Sequence, residues 1–571
     1  MVRIGIIIDS LQGSIPASFR KKITAYVQTL PNIAFSTEEE DLISSEGINK
    51  MGEHVEAGRV DRIVIIGGSP KIYETSFHKL NYRSPLNPYL FAVANIREQA
   101  LWLMADEETA LERAKTIIDK TIRMVSNSKP IEIQSLPLKP EVLVLGGGIV
   151  GMSIAHGLAG SGIHVILLEK EPHLGGKAME LRKFYNRPGE VHQWMKERVS
   201  EVNKTPNITL FTHAELKHLD GHLGRFQAKI QGQDGTETVL SASVIIVATG
   251  CATQRETKGI FGHKRAMILS EMEKLLSEAT PPNLLWEGKK VEMVTFLLDG
   301  VNEDIKIDSI NAVKQSLLLQ ETFQCQVALL CKDVKVAADG MERHYRRARE
   351  KGVLFIKYEE PPRLSIVNSH IQVDVKDTAA IQKTEQKSVS IPSDLVVVSE
   401  AFVPPPETEN LCRLLNLHLG SRGFLMEDNP QLLRVRSNRR GIFVAGACRF
   451  PQEISESLIE ARAVAQEVMV LFSKGAYTYD LSVAEVDPKK CAVCYTCPRL
   501  CPHSAITVEK YAEKNIYVTS GTGEEIRWGA AKVDTAACFG CGICVAECPA
   551  KAITLHHLTD EQIYAQMNLM G

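Results

Sequence analysis

Long apolar runs are absent from this 571-residue sequence. No stretch approaches the roughly 18 uncharged apolar residues that a spanning helix needs; runs such as those at 316–319 and 327–331 suit a soluble core. Direct membrane insertion is therefore not expected. An excess of either charge sign is missing too, with 66 Lys and Arg against 69 Asp and Glu and a formal net charge of −3. Nucleic acid, which selects a basic face, is not an expected partner. Cysteine is scarce over most of the chain: five residues precede position 491, and eight of the 13 fall between Cys491 and Cys548. An odd total with tight C-x-x-C runs argues against a secreted disulfide framework and reads as metal ligands in a reducing compartment. The first nine residues, MVRIGIIID, carry one basic residue and soon turn polar, which reads as a first strand and not a signal peptide. A cytoplasmic protein is expected, with any membrane association coming through partners. No G-x-S-x-G, no paired-carboxylate site and no histidine metal spacing is present.

What is present is organised. At about 150 residues per domain the length implies three to four domains. Residues 1–129 alternate strand and helix patterns, with β-branched runs at 3–8 and 62–66 and a helical pattern over 101–125, acidic early and basic late. A small α/β domain is expected there. Polar, Pro-containing stretches at 126–130 and 136–140 mark a boundary. Residues 141–475 carry short apolar strands at 142–145, 165–168, 244–247, 291–297, 327–330, 395–398 and 442–444, a series that argues a parallel, doubly wound sheet. Residues 480–571 are rich in cysteine and proline and have too few large apolar residues to hold together without metal.

Gly146-Gly147-Gly148-Ile149-Val150-Gly151 follows the strand at 142–145 and opens an apolar helical run. This is G-x-G-x-x-G in its strand–turn–helix setting: Gly146 for the tight turn, Gly148 for close approach of a pyrophosphate, Gly151 for helix–strand packing. The phosphates would meet the free N–H groups of the helix start. Glu169 ends the next strand, placed for ribose hydroxyls. Gly175-Gly176-Lys177, Ala248-Thr249-Gly250 and the run from Gly441 to Gly446 follow in the order of the FAD-binding half of two-dinucleotide-binding flavoproteins, which they resemble. A second glycine fingerprint would be expected after the strand at 291–297, yet the sequence there reads Phe296-Leu297-Leu298-Asp299-Gly300-Val301. A degenerate second dinucleotide region at about 285–400 that binds no NAD is expected.

Cys491-x-x-Cys494-x-x-Cys497-x-x-x-Cys501-Pro502 and Cys538-x-x-Cys541-x-x-Cys544-x-x-x-Cys548-Pro549 are two copies of the bacterial ferredoxin run, whose fourth cysteine serves the other cluster. Two 4Fe–4S clusters are expected, one on Cys491, Cys494, Cys497 and Cys548 and one on Cys538, Cys541, Cys544 and Cys501. Zinc spacings run as pairs without the third cysteine and fit poorly. The residues between Pro502 and Lys532 exceed a minimal ferredoxin and read as a hairpin extension for docking or as a solvated loop. Cys325, Cys331 and Cys412 read as buried thiols; Cys251 and Cys448 fall near the expected flavin.

The order of small α/β domain, FAD fold and terminal double ferredoxin resembles the A-type subunit of heterodisulfide reductase and its relatives, among them the flavoprotein subunits of the quinone-interacting membrane-bound oxidoreductase complex. LNPYLF at 86–91 and ANIREQ at 94–99 resemble the family's N-terminal signature, and KQSLLL at 314–319 and YRRAREKGV at 345–353 its middle region. Gly441 to Gly446 with Pro451 and Ile454 resembles its last flavin loop. The resemblance implies a thioredoxin-reductase-like FAD fold with Val150, Lys170, Gly176, Leu216, Gly250, Gly446, Ala447 and Ile454 at the cofactor. It implies Lys177 beside the flavin, where it either stabilises the reduced form or meets phosphate or solvent. It also implies work within a multi-subunit complex, with heterodisulfide-reductase B/C-like or quinone-linked subunits and ferredoxin-type carriers as partners and a homodimer within that complex left open.

The departures narrow this. Family members commonly hold a further cluster in the N-terminal domain, but Asp9, Leu11, Ser44 and Gly68 stand where its ligands would be. The family's cysteines before the 314–319 helix and after Gly176 are likewise missing. Three readings follow: a relay passing electrons between FAD and two clusters, a bifurcating or confurcating flavin subunit, and a stand-alone NAD(P)H oxidoreductase. The lost cysteines favour the relay.

Overall fold

The computed structural model describes residues 2–58, 60–73, 86–185, 189–255, 259–298, 305–368, 370–382, 385–510, 516–520, 523–527, 529–556 and 558–567. Its contacts form two compact units, residues 1–135 with 478–571, and residues 136–477. Where the sequence leads to three bodies, the two ends of the chain share one.

In the first unit, four parallel strands lie in the order Ile33–Glu39, Ile4–Asp9, Arg62–Gly67, Phe91–Asn95. The strand Ile4–Asp9 is buried along its whole length, because helices cover both faces of a parallel sheet. The helix expected over 101–125 begins later, at Glu107–Ser126. Asp106 sets that start, its carboxylate accepting from the Thr109 N–H at 2.8 Å, as an N-cap does. Asp106→Ala should lower the unit's unfolding free energy by about 1 kcal/mol, read as a shift in the denaturant midpoint. The terminal helix Asp560–Met567 packs on Glu107–Ser126, and buried Gln562 donates to Ser128 Oγ at 3.4 Å.

The cysteine-rich segment of this unit is a repeat with an offset of 47 residues. The strand Ala484–Val486 pairs with Ile553–Leu555, and Ile506–Lys510 pairs with Gly529–Val533, so each half supplies an edge to the other. The extra residues after Pro502 include a second antiparallel pair, Ile516–Ser520 with Gly523–Arg527.

In the second unit the apolar strands build two parallel sheets and not one. Ile442–Val444, Val244–Val247, Glu141–Leu145, His164–Leu168 and Ile208–Phe211 form the first in that order; Ala266–Ile268, Leu395–Val398, Met293–Leu297, Gln326–Cys331 and Leu354–Lys357 form the second. Each is accompanied by a three-stranded antiparallel sheet, and Ala252–Gln254 pairs with Ala401–Val403 between them. Buried strands of four or five Val, Leu and Ile look alike in sequence, so periodicity finds the strands without assigning them to sheets.

Candidate flavin and iron–sulfur sites

The glycine loop leaves the central strand Glu141–Leu145 and enters the helix Ile149–Ala159. Gly146 turns at φ 107°, and a Cβ there would lie 2.5 Å from Ala248 O; a Cβ on Gly151 would lie 1.8 Å from Gly146 O. Only glycine lets loop, helix and neighbouring strand approach this closely. Gly148 differs, since a Cβ on it would meet open space. Gly147, which the spacing rule leaves as a free position, does the tethering: its N–H donates to Glu169 Oε2 at 2.6 Å and its carbonyl accepts from the Gly175 N–H at 2.9 Å. Glu169 is buried, and its other oxygen accepts from the Glu171 N–H at 2.9 Å. Its carboxylate therefore fastens the loop.

The other expected residues gather on the same strand ends. Gly446, at φ 77°, packs on Val150, 2.9 Å from its ideal Cβ to Val150 Cγ2. Ala248 is buried, Gly250 at φ 70° borders open space, and Thr249 Oγ1 is buried without a hydrogen-bond partner among the described residues. An open glycine, a helix N-terminus and an orphaned hydroxyl fit a dinucleotide cofactor and its pyrophosphate. Ala447 lies in the same turn, and Ile454 starts the helix Ile454–Ser473. Lys177 Nζ donates to Thr253 Oγ1 at 3.3 Å. Lys170 pairs with Glu407, and the Leu216 side chain sits in the apolar cluster with Leu143, Leu145 and Leu168.

Sequence spacing does not reveal the polar groups that hold this site. Arg449 is buried with Glu427 at 3.0 Å and pairs with Glu460, whose other oxygen accepts from the Gly446 N–H at 2.9 Å. Arg449→Ala would strand two half-buried carboxylates and should cost the second unit about 3–5 kcal/mol in denaturant titration. Glu400 is buried beside Ser270, whose hydroxyl donates to it, and burial pushes its carboxyl above the ordinary range, with Lys177 opposing. Cys448, expected near the flavin, is a buried thiol donating to Ala445 O at 3.1 Å, and burial pushes it up to about 12. That removes it as a reactive thiolate. Cys325, Cys331 and Cys412 are buried as expected. The segment 299–304, where a second fingerprint would fall, lies outside the described residues.

The cysteine loops repeat their backbone. Val493, Tyr495 and Ser504 hold φ of 54°, 60° and 54°, and their counterparts Gly540, Gly542 and Lys551 hold 66°, 78° and 46°. Left-handed Val and Tyr are costly, and their recurrence at matched positions fits loops wrapped around a rigid inserted body. Backbone N–H groups point at sulfur in both copies: Ala505 at Cys501 and Ala552 at Cys548, each 3.3 Å, Ala531 at Cys491 and Gly540 at Cys538, each 3.4 Å. Donors of this kind suit cluster-bound thiolates. Burial pushes Cys497 up to about 11, and the charges that add to the rise are those of Cys491, Cys494 and Cys548. Burial does the same to Cys544, also to about 11, where Cys538, Cys501 and Cys541 act first. Among the described residues no three His, Cys, Asp or Glu side chains are arranged for a single metal ion, so the grouping rests on the crossed repeat.

Residues 480–561 match the family model of the 4Fe-4S dicluster domain, and residues 144–208 that of the NAD(P)-binding Rossmann-like domain. The second A-type iron-sulfur subunit of the CoB–CoM heterodisulfide reductase of Methanopyrus kandleri is 26% identical over 86% of this chain and 89% of its own. The A-type subunit of the H2:CoB-CoM heterodisulfide,ferredoxin reductase of Methanothermobacter thermautotrophicus is 25% identical over 86% and 88%. Over most of its length the chain is similar to A-type iron–sulfur flavoprotein subunits of heterodisulfide reductase. Its terminal module takes two 4Fe–4S clusters. A solved thioredoxin reductase of Lactococcus lactis, 19% identical, matches 58% of this chain and 99% of its own with a TM-score of 0.41. Among the described residues no helix is long and apolar enough to cross a membrane.

Proposed function

We propose that this oxidoreductase is an electron-transfer subunit of a multi-subunit cytoplasmic complex, passing electrons between FAD and two 4Fe–4S clusters and on to partner subunits. The observation that supports it best is the coexistence in one chain of an open glycine cradle with an orphaned Thr249 hydroxyl and of two complete ferredoxin runs. When bound, FAD supplies the exchange between electron pairs and single electrons, and the clusters carry single electrons. The chain's own residues position and insulate. Gly148 leaves room for the pyrophosphate, the Ile149–Ala159 helix start offers N–H groups, and Glu169 fixes the loop and faces the ribose. Lys177 brings positive charge to the Thr253 side of the cradle. The cysteines divide into Cys491, Cys494, Cys497, Cys548 and Cys538, Cys541, Cys544, Cys501.

Partners of the kinds the resemblance implies are heterodisulfide-reductase B/C-like or quinone-linked subunits and ferredoxin-type carriers. The missing cysteines at Asp9, Leu11, Ser44 and Gly68 leave ligands for one chain of clusters, which favours a linear relay over bifurcation. Anaerobically purified protein should contain about eight irons and one FAD per chain. About twelve irons would mean a further cluster. NADH alone should not bleach the flavin in stopped flow; rapid bleaching would establish the nicotinamide-dependent reading instead. In a potentiometric titration, two resolved one-electron flavin waves support the relay, and a single two-electron wave supports bifurcation.

A further inference from the structure

The 47-residue repeat allows the two cluster sites to be compared position by position, and they differ where it matters for potential. Thr496 lies between Cys494 and Cys497. In the thiol form Cys494 Sγ donates to Thr496 Oγ1 at 3.3 Å; a cluster-bound sulfur has no proton, so the hydroxyl becomes the donor. The matching position in the other copy is Ile543, which has no donor. Four backbone donors are matched between the copies, Ala505 and Ala552 at 3.3 Å and Gly540 and Ala531 at 3.4 Å, two to each quartet, so these do not offset the difference.

The second difference works in the same direction. Phe539 follows Cys538, and His503 is two residues past Cys501, both ligands of one quartet. Their rings stack at 4.1 Å between centroids, tilted by 15°. The matching residues beside Cys491 and Cys548 are Ala492 and Ala550. Two stacked rings therefore stand beside one cluster, and two methyl groups beside the other.

We propose that the clusters are unequal by construction: the one on Cys491, Cys494, Cys497 and Cys548 has the higher potential, and the one on Cys538, Cys541, Cys544 and Cys501 the lower. Reduction adds negative charge to a cluster. A hydroxyl donor on a ligand sulfur stabilises that charge, and an apolar ring such as Phe539 that displaces water beside a ligand disfavours it. Both differences bias an electron toward the Thr496 side. The inference rests on the relay reading.

The test is a spectroscopic redox titration of the full, flavin-loaded chain, which should resolve two cluster waves. Thr496→Val should lower the upper wave, moving the distribution of one electron between the clusters about tenfold, or about 59 mV. Thr496→Ser should leave it in place, which separates loss of the donor from general damage. Ile543→Thr should raise the lower wave, and Phe539→Ala should raise the same wave. The double swap Thr496→Val with Ile543→Thr should narrow or invert the gap. Unmoved waves in these variants at full iron content, or a shift of the lower wave in Thr496→Val, would overturn the asymmetry and leave the relay standing. A chain without clusters would defeat the relay itself.

Discussion

Cys548→Ala will strip the cluster held by Cys491, Cys494 and Cys497, although Cys548 lies within the other cysteine run. Iron should fall from about eight to about four per chain, and the lost wave should be the upper one, which Thr496→Val shifts. Cys501→Ala should do the reverse and remove the lower wave. The reason is the crossed repeat. Each half lends a strand to the other, Ala484–Val486 to Ile553–Leu555 and Gly529–Val533 to Ile506–Lys510, so the fourth cysteine of each run follows its strand across.

The effect will exceed simple loss of one ligand. The module's core is mostly alanine and cysteine with few large side chains: Ala505, Ala530, Ala531, Ala537 and Ala552 lie among Cys491, Cys497, Cys538 and Cys544. Such a core buries little apolar area, so the clusters do much of the holding, as metal does in small domains generally. Chelation of iron under reducing conditions should therefore unfold residues 480–561 while the flavin unit keeps its circular dichroism and bound flavin. Retention of eight irons in Cys548→Ala would refute the crossed ligation.

The parts of the molecule that were legible in sequence are those where one residue type answers one physical demand. Thiolates at ferredoxin spacing, glycines at a turn under a helix, and unbroken runs such as VIIV at 244–247 are of this kind. Other features depend on residues brought together from far apart. Arg449 meets Glu427 and Glu460, and Glu400 meets Ser270 across 130 positions; no local period announces either. The Glu107–Ser126 helix starts late because Asp106 caps it, although the apolar pattern extends further toward the N-terminus. Lys170 stands beside Glu169, yet the fold turns it to Glu407, because an exposed lysine follows the nearest carboxylate.

Gly148→Val will abolish flavin binding and leave the fold intact. Gly148 has φ −71° and ψ −177°, a conformation any residue adopts, and no atom lies within 4 Å of its ideal Cβ. A valine there costs the polypeptide nothing but fills the space where the pyrophosphate approaches. Purified Gly148→Val should carry about eight irons and no flavin, with FAD affinity reduced at least about 100-fold, or about 2.7 kcal/mol. Gly151→Val is the contrasting case, because its Cβ would fall 1.8 Å from Gly146 O. There the helix must move off the strand, so stability and flavin should be lost together. The two variants separate a glycine kept for a ligand from one kept for packing. A Gly148→Val protein that retains stoichiometric, tightly bound FAD would show that the cofactor's phosphates lie elsewhere, whatever the spacing of the motif.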